Sequence, residues 1–240
     1  MPASFRLLPA TCAAAVLMAA SLPVLAERAR LGDEAEVSER GDCELEWAMR
    51  RERERERERR AARRHGRSLE LGCGVGGDSE VSLALQRDRG SEGERESAAE
   101  IELKTVFAPR AGAGIGWSLI AGARRERAPQ VPSRWAEQSL AVAAAQEPAA
   151  GWRVEARLGT QRNLVERRDR SAWEIALEHA LSERWEARMQ LAGEDRNRPQ
   201  WALALRWQFW PDQVALTLRH GGSMGSGRTR QSALAVAWEI

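Results

Sequence analysis

The chain has 240 residues, of which 30% are charged and 43% hydrophobic, and its formal net charge at pH 7 is +2. This near balance of charge gives no reason to expect a nucleic-acid partner or another polyanion, and the length suits a single domain. No segment after residue 26 approaches the run of about 18 apolar residues that a transmembrane helix needs, so such a helix is excluded.

The first 26 residues are typical of a secretory signal peptide. Arg6 supplies the positive charge, residues 13–20 are the apolar segment, and Val24-Leu25-Ala26 is a small-residue cleavage site. We therefore expect residues 1–26 to be removed on export, residues 27–42 to form a periplasmic N-terminal segment, and residues 43–240 to form the folded domain.

After residue 42, twelve short segments alternate apolar and polar residues, which is the period of a β-strand. The sixth segment is the weakest, because its apolar residues alternate with serine and alanine. In chain order the apolar positions are Leu45, Trp47, Met49; Leu69, Leu71, Val75; Val81, Leu83, Leu85; Ile101, Leu103, Phe107; Ile115, Trp117, Leu119; Leu140, Val142, Ala144; Trp152, Val154, Leu158; Trp173, Ile175, Leu177, Leu181; Trp185, Met189, Leu191; Trp201, Leu203, Leu205, Trp207, Phe209; Val214, Leu216, Leu218; and Leu234, Val236, Trp238, Ile240.

The connections between these segments alternate in length. Tight turns at 76–78, 108–112, 147–151, 182–183 and 211–212 alternate with longer polar connections near 51–67, 88–98, 124–134, 161–171, 193–200 and 220–231. Apolar side chains toward lipid, polar ones toward a lumen, and short turns on one rim are the pattern of a transmembrane β-barrel. The predicted fold is therefore all-β: an antiparallel up-and-down barrel of about twelve strands in the outer membrane of a Gram-negative bacterium, with both termini in the periplasm.

The chain has ten tryptophans and no tyrosine. Trp152, Trp185, Trp210 and Trp238 fall near the predicted periplasmic strand ends, and Trp135, Trp173 and Trp201 near the outer ends, as in the aromatic girdles of a barrel. The alternative is a soluble β-sandwich with core tryptophans, but a sandwich would not sort its connections by length.

Two cysteines, Cys43 and Cys73, remain after export, and one disulfide is the simplest interpretation. If they face each other in an antiparallel hairpin, Leu45 faces Leu71 and Trp47 faces Leu69, which places all of these apolar side chains on one face. The alternative is two unrelated buried cysteines.

Between the cysteines, residues 51–59 alternate arginine and glutamate. An α-helix would put like charges at i, i+4, which is repulsive, whereas an extended strand puts arginines on one side and glutamates on the other. The run is either a solvated charged hairpin or a surface that binds anions such as lipopolysaccharide phosphates.

Polar positions of the strands predict the lumen. Acidic residues dominate these positions in the first half of the sequence, and basic residues dominate them in the second half. The opposed walls of the barrel could therefore hold a transverse electric field, or their charges could form ion pairs that fill the lumen. The predicted lumen-lining residues are Glu44, Glu46, Glu70, Glu80, Glu100, Glu102, Lys104, Arg153, Glu155, Arg157, Glu174, Glu178, Arg188, Arg206 and Arg219.

We find no sequence signature of catalysis. His65, His179 and His220 are scattered, so no metal site or cofactor is predicted. The segment His220-Gly221-Gly222-Ser223 is a glycine-rich loop rather than part of a triad, and the glycines at 112–122 are not a dinucleotide fingerprint. The chain is therefore predicted not to be an enzyme, and a membrane enzyme acting on lipids is the weakest hypothesis.

Residues 173–185 (WEIALEHALSERW) and 193–201 (GEDRNRPQW) resemble the closing hairpins of the MetA-pathway phenol-degradation family of outer-membrane proteins. The resemblance covers roughly residues 98–220 and carries over no functional residue. It implies a barrel that transports small molecules. The chain ends in Trp238-Glu239-Ile240, where a terminal aromatic residue is usual for the barrel assembly signal.

The function predicted from the sequence is a narrow passive channel or transporter for small solutes. The alternative is a non-conducting structural or surface-interaction barrel with a charge-paired lumen. The expected partners are outer-membrane lipid, with lipopolysaccharide as a further candidate, the barrel assembly machinery, and a small solute that the sequence does not identify.

Overall fold

The computed structural model describes residues 37–55, 62–91, 93–109, 114–129, 131–195, 197–211, 213–225 and 228–240. The predicted signal peptide, most of the N-terminal segment and the second half of the Arg-Glu run lie outside these residues.

The described residues form twelve strands that close into one antiparallel barrel, which confirms the predicted fold. Each strand pairs with its neighbours in sequence, and the first pairs with the last. The strands are β1 (Cys43–Arg55), β2 (Ala62–Gly74), β3 (Ser79–Arg89), β4 (Arg95–Ala108), β5 (Gly116–Arg127), β6 (Arg134–Ala149), β7 (Trp152–Asn163), β8 (Arg168–Ser182), β9 (Trp185–Glu194), β10 (Gln200–Trp210), β11 (Val214–Ser223) and β12 (Arg228–Glu239).

The two faces of the barrel differ in the way that period-2 alternation predicts. Leu158, on the outer face, is 66% exposed, whereas Glu155 and Glu178, on the inner face, are 3% and 2% exposed. A soluble sandwich would bury the leucines and expose the carboxylates. Here the leucines are exposed and the carboxylates are buried, which is the distribution of a barrel whose outer face contacts lipid. Among the described residues, no helix is long and apolar enough to cross a membrane.

The first hairpin has the predicted register. Cys43 pairs with Cys73 and forms the disulfide, Leu45 faces Leu71, and Trp47 faces Leu69. The ladder continues outward to Glu54 and Ala62, so the described part of the Arg-Glu run is strand.

The strands are longer than the alternation predicts, and the predicted long loops are correspondingly too long. For example, the polar segment 161–171 is mostly strand: β7 runs to Asn163 and β8 starts at Arg168. Backbone pairing can continue where both faces are in water, and there neither face needs to be apolar, so the alternation fades while the ladder does not. Connection length also alternates less strictly than predicted, because the segment 109–115 between β4 and β5 is longer than the segment 164–167.

The sixth strand, which has the weakest alternation, spans Arg134–Ala149. Its inward residues Ala141, Ala143 and Ala145 are buried, while Leu140 and Val142 face outward. Small apolar residues facing inward give little contrast in hydropathy, which explains the weak signal.

Both ends of the barrel domain lie on one rim, which we call the terminal rim; the other is the distal rim. Cys43 and Ile240 exchange backbone hydrogen bonds of 3.0 and 2.8 Å across the closing seam. Aromatic rings stack near the terminal rim: Trp185 on Trp207 with centroids 5.5 Å apart, and Trp152 on His179 at 4.0 Å.

The disulfide closes the first hairpin, so its loss is expected to destabilise the barrel. Reduction should lower the free energy of unfolding by about 3 kcal/mol, because the unfolded chain regains the entropy of an open loop. The measurement is urea unfolding in lipid vesicles with and without reductant. A Cys43→Ser/Cys73→Ser variant is the control and should not respond to reductant. Two thiols that react with an alkylating agent after non-reducing denaturation of the exported protein would contradict the bridge.

Candidate functional site: the charged interior

The structure places all of the residues predicted to line the lumen on the inner face. Most of them are buried, and ion pairs connect them into groups. On the wall formed by β7–β10 the groups centre on arginines; on the wall formed by β1–β4 the side chains are mostly acidic.

Arg188 on β9 is the centre of the largest group. Its guanidinium lies 2.9 Å from Glu155 on β7 and 3.3 Å from Glu174 on β8, and it also hydrogen-bonds Glu178. Arg153 contacts the same Glu178 at 3.1 Å. Two cations thus share three carboxylates, a densely paired arrangement that offsets the cost of burying the charges.

Two further ion pairs connect the opposed walls. Arg157 on β7 reaches Glu102 on β4 at 3.4 Å, and Arg206 on β10 reaches Glu44 on β1 at 3.7 Å. Each pair passes over two intervening strands. These bridges join arginines of the second half of the sequence to glutamates of the acidic first half, and they narrow the interior.

The strands beneath the bridges have small inward side chains. Beneath the first bridge these include Ser118 on β5 and Ala143 on β6; beneath the second they include Thr217 on β11 and Ala235 on β12. All four are buried. Larger side chains would occupy the space that the arginines cross. Since β5–β6 and β11–β12 lie on opposite sides of the barrel, the interior at the level of the two bridges consists of two charged walls separated by two walls of small residues.

A glycine makes room for another pair. Arg50 on β1 contacts Asp88 on β3 at 3.0 Å, across β2. A Cβ atom at Gly66 on β2 would lie 2.3 Å from the Asp88 carboxylate. A larger residue at this position would therefore displace the Asp88 carboxylate from its present place beside Arg50.

The N-terminal segment enters the interior at the terminal rim. The backbone N–H and the hydroxyl of Ser38 donate to Glu80 at 3.3 and 3.2 Å, and Lys104 lies 3.9 Å from the same carboxylate. A Cβ atom at Gly74 would lie 2.2 Å or less from the carbonyl oxygens of Ser38 and Glu39. The close approach of this segment to β2 thus depends on glycine.

Sequence reasoning missed several interior pairs near the distal rim. Asp88, Arg170 and Glu194 fall in segments predicted as loops, yet Arg170 contacts Glu194 at 3.3 Å. Both faces are polar at these strand ends, so hydropathy offers no signal. Only the register of the neighbouring strands could have identified them.

The histidines lie apart. His179 contacts the carbonyl oxygen of Gly151 at 3.0 Å through Nδ1, and His220 contacts the Ser232 hydroxyl at 2.9 Å. Among the described residues, no group of three or more His, Cys, Asp or Glu side chains could hold a metal ion.

Among the interior cations, Arg188 is the one whose removal is expected to lower the free energy of unfolding most. Arg188→Met should destabilise the barrel by about 3–5 kcal/mol, because it leaves buried carboxylates with less compensating charge. The measurement is urea unfolding in vesicles at neutral pH. The control is Arg184→Met on the exposed β8–β9 turn, expected within about 0.5 kcal/mol of the parent. Equal effects of the two substitutions would contradict the assignment of Arg188 to a buried network.

Solved structures share this fold at low sequence identity. The COG4313 outer membrane channel from Pseudomonas putida F1 is 9% identical with a TM-score of 0.64, and the match covers 89% of this chain and 100% of that chain. The KdgM porin is 9% identical with a TM-score of 0.57, covering 81% and 99%. The translocator domain of the autotransporter NalP from Neisseria meningitidis is 12% identical with a TM-score of 0.51, covering 82% and 88%. The fold is therefore that of bacterial outer-membrane barrels.

The sequence matches none of the curated proteins with which it was compared. A family described as Uncharacterised conserved protein UCP029691 matches residues 14–221, which is most of the chain. The protein therefore belongs to the family of uncharacterised conserved proteins UCP029691.

Proposed function

We propose that this protein is a narrow passive channel for small solutes in the outer membrane of a Gram-negative bacterium. The observation that carries the proposal is the closed barrel of β1–β12, apolar outside and charged inside. Such an interior offers a polar path across lipid, whereas a structure that only needed stability could fill its centre with apolar side chains. The COG4313 channel and the KdgM porin, which share the fold, are named as a channel and a porin.

The interior limits what could pass. The bridges Arg157–Glu102 and Arg206–Glu44 cross the spaces beside the small-residue walls, and the Arg188 group fills part of the β7–β9 wall. A solute must therefore be small, or must displace ion pairs. Both signs of charge line the path, so the expected cargo is small and polar or zwitterionic rather than a long polyanion. No catalytic activity is proposed.

A second candidate is a non-conducting barrel with a charge-paired interior. It is favoured by the depth of burial: Glu178 and Arg188 are 2% and 6% exposed. Side chains in a wide aqueous pore would be more accessible than this. Conductance distinguishes the two candidates.

The proposed placement puts the terminal rim in the periplasm, with residues 1–26 as the signal peptide and 27–42 as a periplasmic segment. The expected partners are the barrel assembly machinery, which would act on the C-terminal strand, and the surrounding lipid, including lipopolysaccharide. The resemblance to the MetA-pathway phenol-degradation family adds aromatic compounds to the solutes to be tested.

Ion selectivity should follow the inward charges. Arg153→Ser/Arg157→Ser should shift the permeability of the pore toward cations, because both guanidiniums lie in a confined interior where fields are poorly screened. The measurement is the reversal potential in planar bilayers under a salt gradient.

The matched control is Arg162→Ser/Arg184→Ser, which removes the same charge from exposed positions. At these exposed positions, salt at 0.1 M screens charges within about 10 Å, so the ion selectivity of the control variant should stay at the parent value. A shift in the control but not in the interior variant would contradict the assignment of the path. No conductance in any of the three proteins would favour the non-conducting barrel.

The proposed location has its own test. The protein should fractionate with outer membranes and migrate faster on gels before heating than after, because a folded barrel resists detergent. Recovery as a soluble periplasmic protein without detergent would contradict both candidate functions.

A further inference from the structure

Among the described residues, ten exposed arginines form a partial ring on the outer face near the distal rim. They lie on six consecutive strands around the barrel, from β12 through β1 to β5. We call this set the arginine belt: Arg230, Arg51, Arg53, Arg63, Arg67, Arg87, Arg89, Arg95, Arg125 and Arg127.

The belt has no compensating charge of its own. Among the described residues of these six strands, the outward positions hold no Asp or Glu, since the acidic residues occupy the alternate, inward positions. No ion pair or hydrogen bond joins a belt side chain to another described residue. Inward arginines such as Arg50 and Arg157, by contrast, are paired.

Register places several belt arginines directly opposite one another. Arg67 on β2 pairs with Arg87 on β3, and Arg89 on β3 pairs with Arg95 on β4. Arg53 lies between Arg63 and Arg230. Like charges directly opposite on one face of a sheet are destabilising, so anions bound between these side chains would relieve this repulsion.

The belt starts where the outward apolar band ends. Arg51 follows Met49 on the same face, Arg67 precedes Leu69, and Arg87 follows Leu85. Two residues of strand advance about 7 Å, so these guanidiniums lie one step beyond side chains that contact acyl chains. This is the level of the phosphate groups of a lipid packed against the band, and a soluble anion would have no reason to prefer it.

On the other side of the barrel, the outer face near the distal rim does not continue the arginine belt. Near the distal rim, the outward residues of β6–β10 include Trp135, Trp173 and Trp201. The outward Arg162 there has a partner, Asp169, at 3.8 Å. The asymmetry argues against a general solubilising role for the belt, since such a role would not be confined to one side.

We propose that the arginine belt binds the phosphate groups of a phosphorylated glycolipid of the outer leaflet, the lipopolysaccharide class. Arginine forms bidentate, charge-assisted hydrogen bonds with phosphate, and paired arginines on adjacent strands can hold one phosphate between them. The inference rests on the proposed outer-membrane placement but not on conduction.

The test is binding of lipid by the purified full chain folded in neutral detergent. The probes are a deep-rough lipopolysaccharide carrying both lipid A phosphates and the same lipid after enzymatic dephosphorylation, with native mass spectrometry as the readout. The parent barrel should bind the phosphorylated probe at least about tenfold more tightly than the dephosphorylated one. Arg51→Gln/Arg67→Gln/Arg87→Gln should lose that preference.

The control is Arg162→Gln/Arg167→Gln/Arg168→Gln, which removes the same charge from exposed positions on the other side of the barrel and should keep the preference. Heat-modifiable migration shows that each variant is folded. If the triple variant does not fold, the single variants Arg67→Gln and Arg162→Gln replace the two triple variants. Arg67→Gln should then reduce the preference for the phosphorylated probe about threefold, and Arg162→Gln should keep it.

Three results would overturn the proposal: equal binding of the two probes by the parent, equal loss in belt and control variants, or equally tight binding of heparin, which would make the belt a surface for soluble polyanions. Each is independent of conductance, so a failed channel assay would leave the lipid site standing, and a failed lipid assay would leave the channel proposal standing.

Discussion

The structure depends on one constraint: a sheet that crosses lipid must satisfy every backbone N–H and C=O group within the protein. An open sheet would expose two unpaired edges to hydrocarbon. Pairing of β1 with β12, from Glu44–Glu239 to Arg55–Arg228, removes both edges. Closure of the barrel also encloses one face of every strand. Alternate side chains along each strand therefore face either the lipid or the interior.

Closure also decides how the charges behave. Inside, charged side chains have little access to bulk water, so they pair with one another, and the pairs extend across strands. The pairs Arg157–Glu102 and Arg206–Glu44 form because the intervening strands have small inward residues. Outside, the same alternation leaves the arginines of the belt without an ion pair or hydrogen bond to another described residue. The two sets of arginines therefore have opposite consequences: the inner set stabilises and narrows the interior, and the outer set needs anions from its surroundings.

Much of the fold could be predicted because the membrane imposes a simple pattern. Leu45, Trp47, Leu69 and Leu71 alternate with polar residues, and the cysteines fix their register, so the first hairpin follows from the sequence alone. The predicted strands end too early for the same reason. Beyond the lipid neither face of a strand has to be apolar, so the hydropathy pattern does not show where the hydrogen-bonded ladder continues. The sixth strand was hard to recognise because its inward residues are alanines.

Along the alternating apolar part of each strand, the sequence by itself determined which side chains face inward and which face outward, since period 2 relates the residues there. Where the register shifts at a bulge, as between Glu137 and Trp135 on β6, only the structure shows the facing. Only the tertiary structure decided which charges meet. Glu102 and Arg157 are 55 residues apart and three strands apart around the wall, and no local pattern relates them. Their contact depends on barrel curvature, on the stagger of the strands and on the small side chains between them, which together bring distant positions within reach of an arginine.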